Sequence, residues 1–200
     1  MALIHITPEQ YVVSQWSGGT TTQVAIAPEG AVYADRDFLW RISSASVDLD
    51  ESDFTALPDY HRWISTLEGG MTLSHEGGEK IVLAPYDVHQ FDGGVDTHSW
   101  GRCTDFNLML RKGKCEGVVR ALKLCAGEKA AVAFESAASD AFPNAQLLIF
   151  CGEGKAVVTL GDEKVVLEAT HSLLVKDAVG MSLGVECTED AAFMIAEVQI

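Results

Sequence analysis

The 200-residue chain lacks long hydrophobic runs and is poor in basic residues. No stretch approaches the roughly 18 apolar residues of a membrane-spanning helix. Met1–Gln10 lacks the basic segment and apolar run of a secretory signal, so we expect a cytoplasmic protein. Lys and Arg number 14 against 29 Asp and Glu, a formal net charge of −15. Nucleic acids and anionic membranes are bound by clustered Lys and Arg, so neither partner is expected.

Motifs for metal or covalent chemistry are also missing. The five cysteines form no Cys-x-x-Cys pair, which is typical of a reduced protein with free, buried thiols. No His-x-His pair occurs, although alternate residues of one strand are what a metal site on a β-barrel needs. We therefore expect no metal and no other cofactor. No nucleophile elbow, P-loop or dinucleotide-binding motif is present, so the sequence favours a binding protein and leaves catalysis open.

Short segments of alternating apolar and polar residues dominate the chain, and Gly, Asp and Asn clusters separate them. This pattern predicts an all-β sandwich or barrel. The predicted strands are 38–47, 63–67, 71–74, 80–83, 105–110, 146–150, 156–160, 164–167, 181–185 and 192–198. We expect helical turns only at 7–10 and 116–125.

A weak internal repeat divides the chain. A shift of 84 residues places Gly77 on Gly161 and Val82-Leu83 on Val166-Leu167. Both copies read as strand, tight turn and strand, which predicts two β modules at 1–112 and 113–200. The first module holds five of the six Arg and all four Trp. Because Arg and Trp are common ligand-binding residues, the sequence predicts a pocket in the first module.

Two strands of the first module carry polar residues on an otherwise apolar face. Arg41 shares its face with Leu39, Ala45 and Val47, and Asp105 alternates with Asn107 on the other strand. A charge on such a face must be paired or must bind something. Two interpretations stay open. Arg41 forms a structural pair with Asp105, or an Arg binds a ligand carboxylate through its planar guanidinium.

Six segments, in order, resemble the HutD/Ves family. They are Trp16-Ser-Gly-Gly-Thr-Thr-Thr-Gln-Val24, Phe38-x-Trp-Arg-Ile-Ser-x-Ala45, Asp53-Phe-Thr-Ala-Leu-Pro58 with Arg62, Leu67-Glu-Gly-Gly70, Phe91-Asp-Gly93 and Asp105-Phe-Asn-x-Met109. The likeness in order and spacing runs from about residue 12 to 112. It implies a bicupin of the RmlC-like cupin superfamily, with two cupin-like β-barrel or jelly-roll modules packed in one compact chain.

The resemblance also implies a function. It predicts a small anionic metabolite as partner, an intermediate of histidine utilisation such as formimidoylglutamate or urocanate, and a sensor or regulatory role. The implied ligand-binding residues are Trp16, Thr21, Arg41, Arg62, Asp105 and Asn107. The chain departs from the family pattern at Gln23, where the family has Glu, and at Asp59 and His61.

Other functions stay open beside this one. One is a metal-independent isomerase or hydrolase of a small carboxylate with His61 or His89 as general base. Another is an interaction module without a ligand, and a homodimer is compatible with each of these functions.

Overall fold

The computed structural model describes residues 2–137 and 139–200, and this part of the chain is all-β, as predicted. Its strands are β1 (Ala2–Ile6), β2 (Val12–Trp16), β3 (Gly19–Ala27), β4 (Trp40–Val47), β5 (Glu51–Asp53), β6 (Tyr60–Gly69), β7 (Met71–His75), β8 (Lys80–Leu83), β9 (Val88–Asp92), β10 (Thr97–Trp100), β11 (Cys103–Arg111), β12 (Glu116–Leu124), β13 (Lys129–Ala133), β14 (Ala145–Glu153), β15 (Lys155–Leu160), β16 (Glu163–Glu168), β17 (Ser172–Lys176), β18 (Ser182–Cys187) and β19 (Ala191–Gln199). Short 3-10 helices lie at Pro8–Gln10 and Tyr33–Asp35.

The chain forms two units. The first unit is Tyr11–Cys115, and the second unit is Met1–Gln10 with Glu116–Ile200. The N-terminal residues join the second unit because β1 pairs antiparallel with β17, with Leu3 opposite Val175. The observed first unit therefore differs from the expected module 1–112 at both ends, because it lacks the first ten residues and extends to Cys115.

The first unit consists of two antiparallel sheets. One has the order β2-β3-β4-β11-β6-β9, and the other has the order β5-β10-β7-β8. Apolar side chains from both sheets share a buried core that includes Ile64 of the larger sheet and Leu73 of the smaller one. A second buried cluster surrounds Phe38 and Tyr60, whose rings stack at 4.4 Å between centroids.

The second unit repeats this strand order. Its sheets run β1-β17-β14-β19-β12 and β13-β18-β15-β16. The segment β12-β19-β14-β17 corresponds to β4-β11-β6-β9, and β13-β18-β15-β16 corresponds to β5-β10-β7-β8. Leu83 and Leu167, matched by the shift of 84, are both buried in the cores of their units.

Two details differ from the sequence-based expectation. Residues 116–125, expected to contain helical turns, instead form β12, which pairs along its whole length with β19. The sheets are open sandwiches in both units and do not close into barrels. The jelly-roll alternative of the prediction is the one that fits.

Candidate functional site

A cavity of about 310 Å³ lies within the first unit. All six residues named from the sequence line it: Trp16, Thr21, Arg41, Arg62, Asp105 and Asn107. They come from five neighbouring strands of the larger sheet, β2, β3, β4, β11 and β6. The structure therefore brings together every residue that the sequence named.

Strand alternation explains the lining of the cavity. Arg41, Ser43 and Ala45 project from one face of β4, and Asp105 and Asn107 project from the same face of β11. Two irregularities adjust the register at the site. One follows Gln23 in β3, and the other separates Thr104 from Asp105 where β11 meets β6. Bulges of this kind commonly re-aim side chains at sites.

Arg41 is 4% exposed, and its bonds go to neutral acceptors. Its Nε donates to Gln23 Oε1 at 2.8 Å, and one terminal nitrogen donates to Ser43 Oγ at 3.0 Å. Its guanidinium also lies 4.2 Å from the ring centroid of Tyr33. Burial lowers the pKa of Arg41. Gln23, which stands where the family pattern has Glu, thus gives Arg41 a neutral neighbour.

Arg62 is buried beside Arg41 on the other side of β11, and both are paired in register with Met109. Its Nε donates to Asn107 Oδ1 at 3.4 Å. The guanidinium lies 4.8 Å from the ring centroid of Phe54. Burial lowers the pKa of Arg62 to about 10. Within the described residues, no carboxylate oxygen lies within 4.0 Å of either guanidinium.

Asp105 is not the ion-pair partner that the sequence offered for Arg41. Its Oδ1 instead accepts the backbone N–H of Ala45 at 2.8 Å, the residue opposite it on β4. Burial raises the pKa of Asp105 to about 7, against the opposing effect of that bond and of the two arginines. The structural-pair interpretation of Arg41 and Asp105 is therefore wrong in its geometry.

Aromatic walls complete the cavity, and sequence reasoning missed two of them. Tyr33 lies in the short 3-10 helix Tyr33–Asp35 and Phe54 in a loop, so neither follows strand alternation, and both rings stack on arginines. Trp16 lines the mouth and is 37% exposed. A Cβ at Gly18 would lie 2.2 Å from the Trp16 ring, so the Gly-rich turn leaves room for that ring. The aromatic character of the Tyr33 and Phe54 segments was the signal available in the sequence.

The two histidines of the alternative enzyme function do not line the cavity. His61 neighbours Arg62 on β6 and therefore faces the other side of the sheet, where it lies 6.5 Å from Trp63 between ring centroids. His89 Nε2 lies 2.8 Å from His75 Nε2. In the described residues, no three His, Cys, Asp or Glu side chains form a group that would hold a metal. The described part of the chain also contains no helix with the length and apolar character to cross a membrane.

Comparison with protein-family models identifies the family of this chain. The HutD family model matches residues 8–194. The chain belongs to the HutD family. A curated relative, Protein Ves of Cronobacter sakazakii, is 31% identical over 115 residues, which cover 54% of this chain and 60% of the relative. The chain thus matches about three fifths of that relative's length.

Solved structures support the fold of this HutD-family chain. A conserved protein of unknown function from Pseudomonas aeruginosa PAO1 superposes on this chain with a TM-score of 0.83 at 23% sequence identity. HutD from Pseudomonas fluorescens SBW25 superposes with a TM-score of 0.73 at 21% sequence identity. Each superposition covers 100% of this chain and 100% of the other protein's chain. The nickel complex of bacterial pirin YhhW from Escherichia coli reaches 0.67 at 9% identity over 98% of each chain. The cupin fold predicted from the sequence is confirmed.

The second unit shows the same strands with apolar residues at the equivalent positions. By strand register, Asp105, Asn107 and Arg62 correspond to Phe193, Ile195 and Leu147. These three are fully buried in an apolar core. The polar cavity is therefore a feature of the first unit's residues and not of the strand order.

A buried charge of the second unit provides a contrast. Glu197 is 1% exposed, and its carboxylate accepts the backbone N–H groups of Glu135 and Ser136 and the Ser136 hydroxyl. It also lies 3.3 Å from the Arg120 guanidinium. This carboxylate has the set of partners expected of a structural buried charge. The two cavity arginines lack an equivalent anion.

Proposed function

We propose that this HutD-family chain is a cytoplasmic protein that binds a small anionic metabolite in the cavity of its first unit and acts as a sensor or regulator. The observation that carries the proposal is the pair of buried guanidiniums, Arg41 and Arg62, without a carboxylate within 4.0 Å among the described residues. Buried charges are normally paired, so a ligand carboxylate is the missing partner.

The charge around the cavity supports an anion. Arg36 lies 4.0 Å from the other side of the Tyr33 ring and adds a third positive group near the site. The chain as a whole carries a formal net charge of −15, so its average field repels anions. A local cluster of arginines in an acidic protein therefore favours selective capture of one anionic group.

The size of the cavity supports a small ligand. About 310 Å³ is at the lower end of the range for small-molecule sites, which run from roughly 300 to 1,000 Å³. Asn107 and Ser43 offer neutral hydrogen bonds, and Trp16 and Phe54 offer apolar walls. Carboxylates with a short polar arm or flat ring fit these features, and within the HutD family we favour histidine-utilisation intermediates such as formimidoylglutamate or urocanate.

The enzyme alternative lacks comparable support. Its proposed bases, His61 and His89, lie outside the cavity lining, so neither meets a ligand held by Arg41 and Arg62. We therefore favour binding without catalysis by these histidines.

A thermal-shift screen tests the proposal. Urocanate, formimidoylglutamate and simple dicarboxylates are added to the wild-type chain and to Arg41→Lys and Arg62→Lys. A ligand at 100 times its Kd stabilises the folded state by about 2.7 kcal/mol, or about 5–10 °C for a chain of this size. Lysine lacks the planar fork, so both variants are expected to lose most of the shift.

Arg102→Lys is the matched control, because Arg102 is exposed and pairs with Asp50 away from the cavity. It should keep the wild-type response. A screen in which no carboxylate raises the Tm, or in which the two cavity variants respond like the control, would contradict the proposal.

A further inference from the structure

Asp105 is an acid placed where the ligand's own carboxylate is expected. It is 6% exposed, lines the same cavity as Arg41 and Arg62, and has no ion-pair contact with either. One oxygen accepts the Ala45 N–H at 2.8 Å. For an anion-binding cavity, a buried carboxylate on the wall is unexpected, because its negative charge opposes binding.

Asp105 is a cavity-lining group able to exchange a proton near neutral pH, and His98, whose pKa is raised by its hydrogen bond to Asp53, lies outside the lining. Arg41 faces it from β4 and Arg62 from β6, and burial of the Asp105 carboxyl raises its pKa to about 7. On its own strand, burial raises the pKa of the Cys103 thiol to about 12, so that thiol stays neutral. Tyr33 also lines the cavity, as does Asp53, whose carboxylate bonds His98 at 2.7 Å.

A ligand carboxylate brings a second negative charge into about 310 Å³ already containing Asp105. Two carboxylates sharing one desolvated site are not both ionised at low cost, so one of them holds a proton. We propose that the cavity binds its carboxylate ligand together with one proton, which Asp105 takes up from solvent. The protonated carboxyl then offers an O–H donor to the ligand in place of a repelling charge.

This inference rests on the proposed function and adds a pH response to it. Because binding consumes a proton, affinity falls as pH rises above the pKa of Asp105 in the free protein. A sensor built in this way responds to metabolite and proton concentration together. Asp105 is here a determinant of specificity, since a protonated acid discriminates against ligands without an acceptor at that position.

The experiment is isothermal titration calorimetry with N-formyl-L-glutamate, the formyl analogue of formimidoylglutamate, which has no group titrating near neutral pH. Affinity is measured between about pH 6 and pH 8, in Bis-Tris and in Tris, whose ionisation enthalpies differ. We expect affinity about tenfold weaker at pH 8 than at pH 6, and about half a proton taken up per ligand at pH 7.

Asp105→Asn should bind with the same affinity across this range and without proton uptake. Asp50→Asn, an exposed carboxylate paired with Arg102, should keep the wild-type pH response. If Asp105→Asn fails to fold, the proton count of the wild-type chain in the two buffers still decides whether binding takes up a proton.

The outcomes separate the two proposals. Binding with equal affinity at both pH values and no proton uptake overturns the inference and leaves the proposed function intact. A pH response that survives in Asp105→Asn overturns the assignment to Asp105. Absence of N-formyl-L-glutamate binding at every pH overturns this inference, and the proposed function is overturned only when no carboxylate in the thermal-shift screen raises the Tm either.

Discussion

Replacing Arg62 with Met separates a ligand-binding role from a structural one. Burial lowers the pKa of Arg62 to about 10, well below the usual value of a guanidinium. Each tenfold change in proton affinity corresponds to about 1.4 kcal/mol, so keeping this charge in the folded chain costs about 3 kcal/mol at neutral pH. Arg62→Met removes that cost while keeping a long, flexible apolar side chain of similar reach.

The interactions lost in Arg62→Met stabilise the folded chain by an amount similar to the desolvation cost that the substitution removes. The bond to Asn107 Oδ1 is 3.4 Å long, and leaving that acceptor unpaired costs about 1–3 kcal/mol. The cation–π contacts with Phe54 and Phe91, at 4.8 and 5.2 Å, contribute about 0.5–1 kcal/mol each. A Met sulfur against the same rings recovers part of this. We therefore expect the free energy of unfolding to stay within about 1 kcal/mol of wild type, a Tm change of about 2–4 °C.

Ligand binding should respond very differently. Loss of a desolvated charged contact costs about 2–5 kcal/mol of binding, so the affinity for N-formyl-L-glutamate should fall at least about 30-fold. Urea unfolding followed by circular dichroism gives the stability, and calorimetry gives the affinity. Arg102→Met, at an exposed pair with Asp50, is the control and should change neither by more than about 1 kcal/mol. A stability loss above about 3 kcal/mol, typical of a broken buried ion pair, would refute this reasoning.

Three other outcomes are expected. The contribution of Asp105 to the stability of the ligand-free chain should fall as pH rises from about 4 to about 7, because the folded state holds the Asp105 proton more tightly than the unfolded state does; the difference in slope between wild type and Asp105→Asn in urea unfolding across that range measures this contribution. Cys125 has an exposed thiol and should react quickly with a disulfide reagent near pH 8. The other four thiols should react slowly until the chain is unfolded, because burial raises their pKa; they are Cys103, Cys115, Cys151 and Cys187. Elemental analysis should find no stoichiometric zinc, iron, nickel or manganese; about one metal per chain, lost in His89→Ala, would contradict this.

Most of the strands could be predicted from the alternation of apolar and polar residues in the sequence. Lys80–Leu83 was predicted with its observed bounds, and nine other strands were placed within a few residues. Glu116–Leu124 was misread, since Glu116, Arg120 and Lys123 have a spacing that suits a helix face. Pairing with β19 overrides that local preference. The place of β1 was beyond local patterns, because its pairing with β17 depends on residues more than 160 positions away.

The residues of the candidate site could be predicted from strand alternation and from the family resemblance, but their hydrogen-bond partners could not. Alternation placed Arg41 on the cavity face of β4 and Asp105 with Asn107 on that of β11, and the resemblance added Trp16, Thr21 and Arg62. The partners of each charge were not predictable, because hydrogen-bond geometry depends on bulges and on irregular segments. Hence the pairing of Asp105 with Arg41, one of the two interpretations left open by the sequence, is not observed, and Asp105 instead accepts the Ala45 N–H.

The two units of this HutD-family chain form an internal comparison between a site and a scaffold. They share strand order, but Phe193 and Ile195 pack in an apolar core where Asp105 and Asn107 line a cavity. Packing and burial of apolar side chains stabilise a unit, and buried charges without an anion destabilise it. The first unit therefore keeps a locally unfavourable arrangement, which an anion bound as proposed would offset. Such an arrangement is expected of a binding site, and the apolar residues at the equivalent positions of the second unit show that the fold itself does not require it.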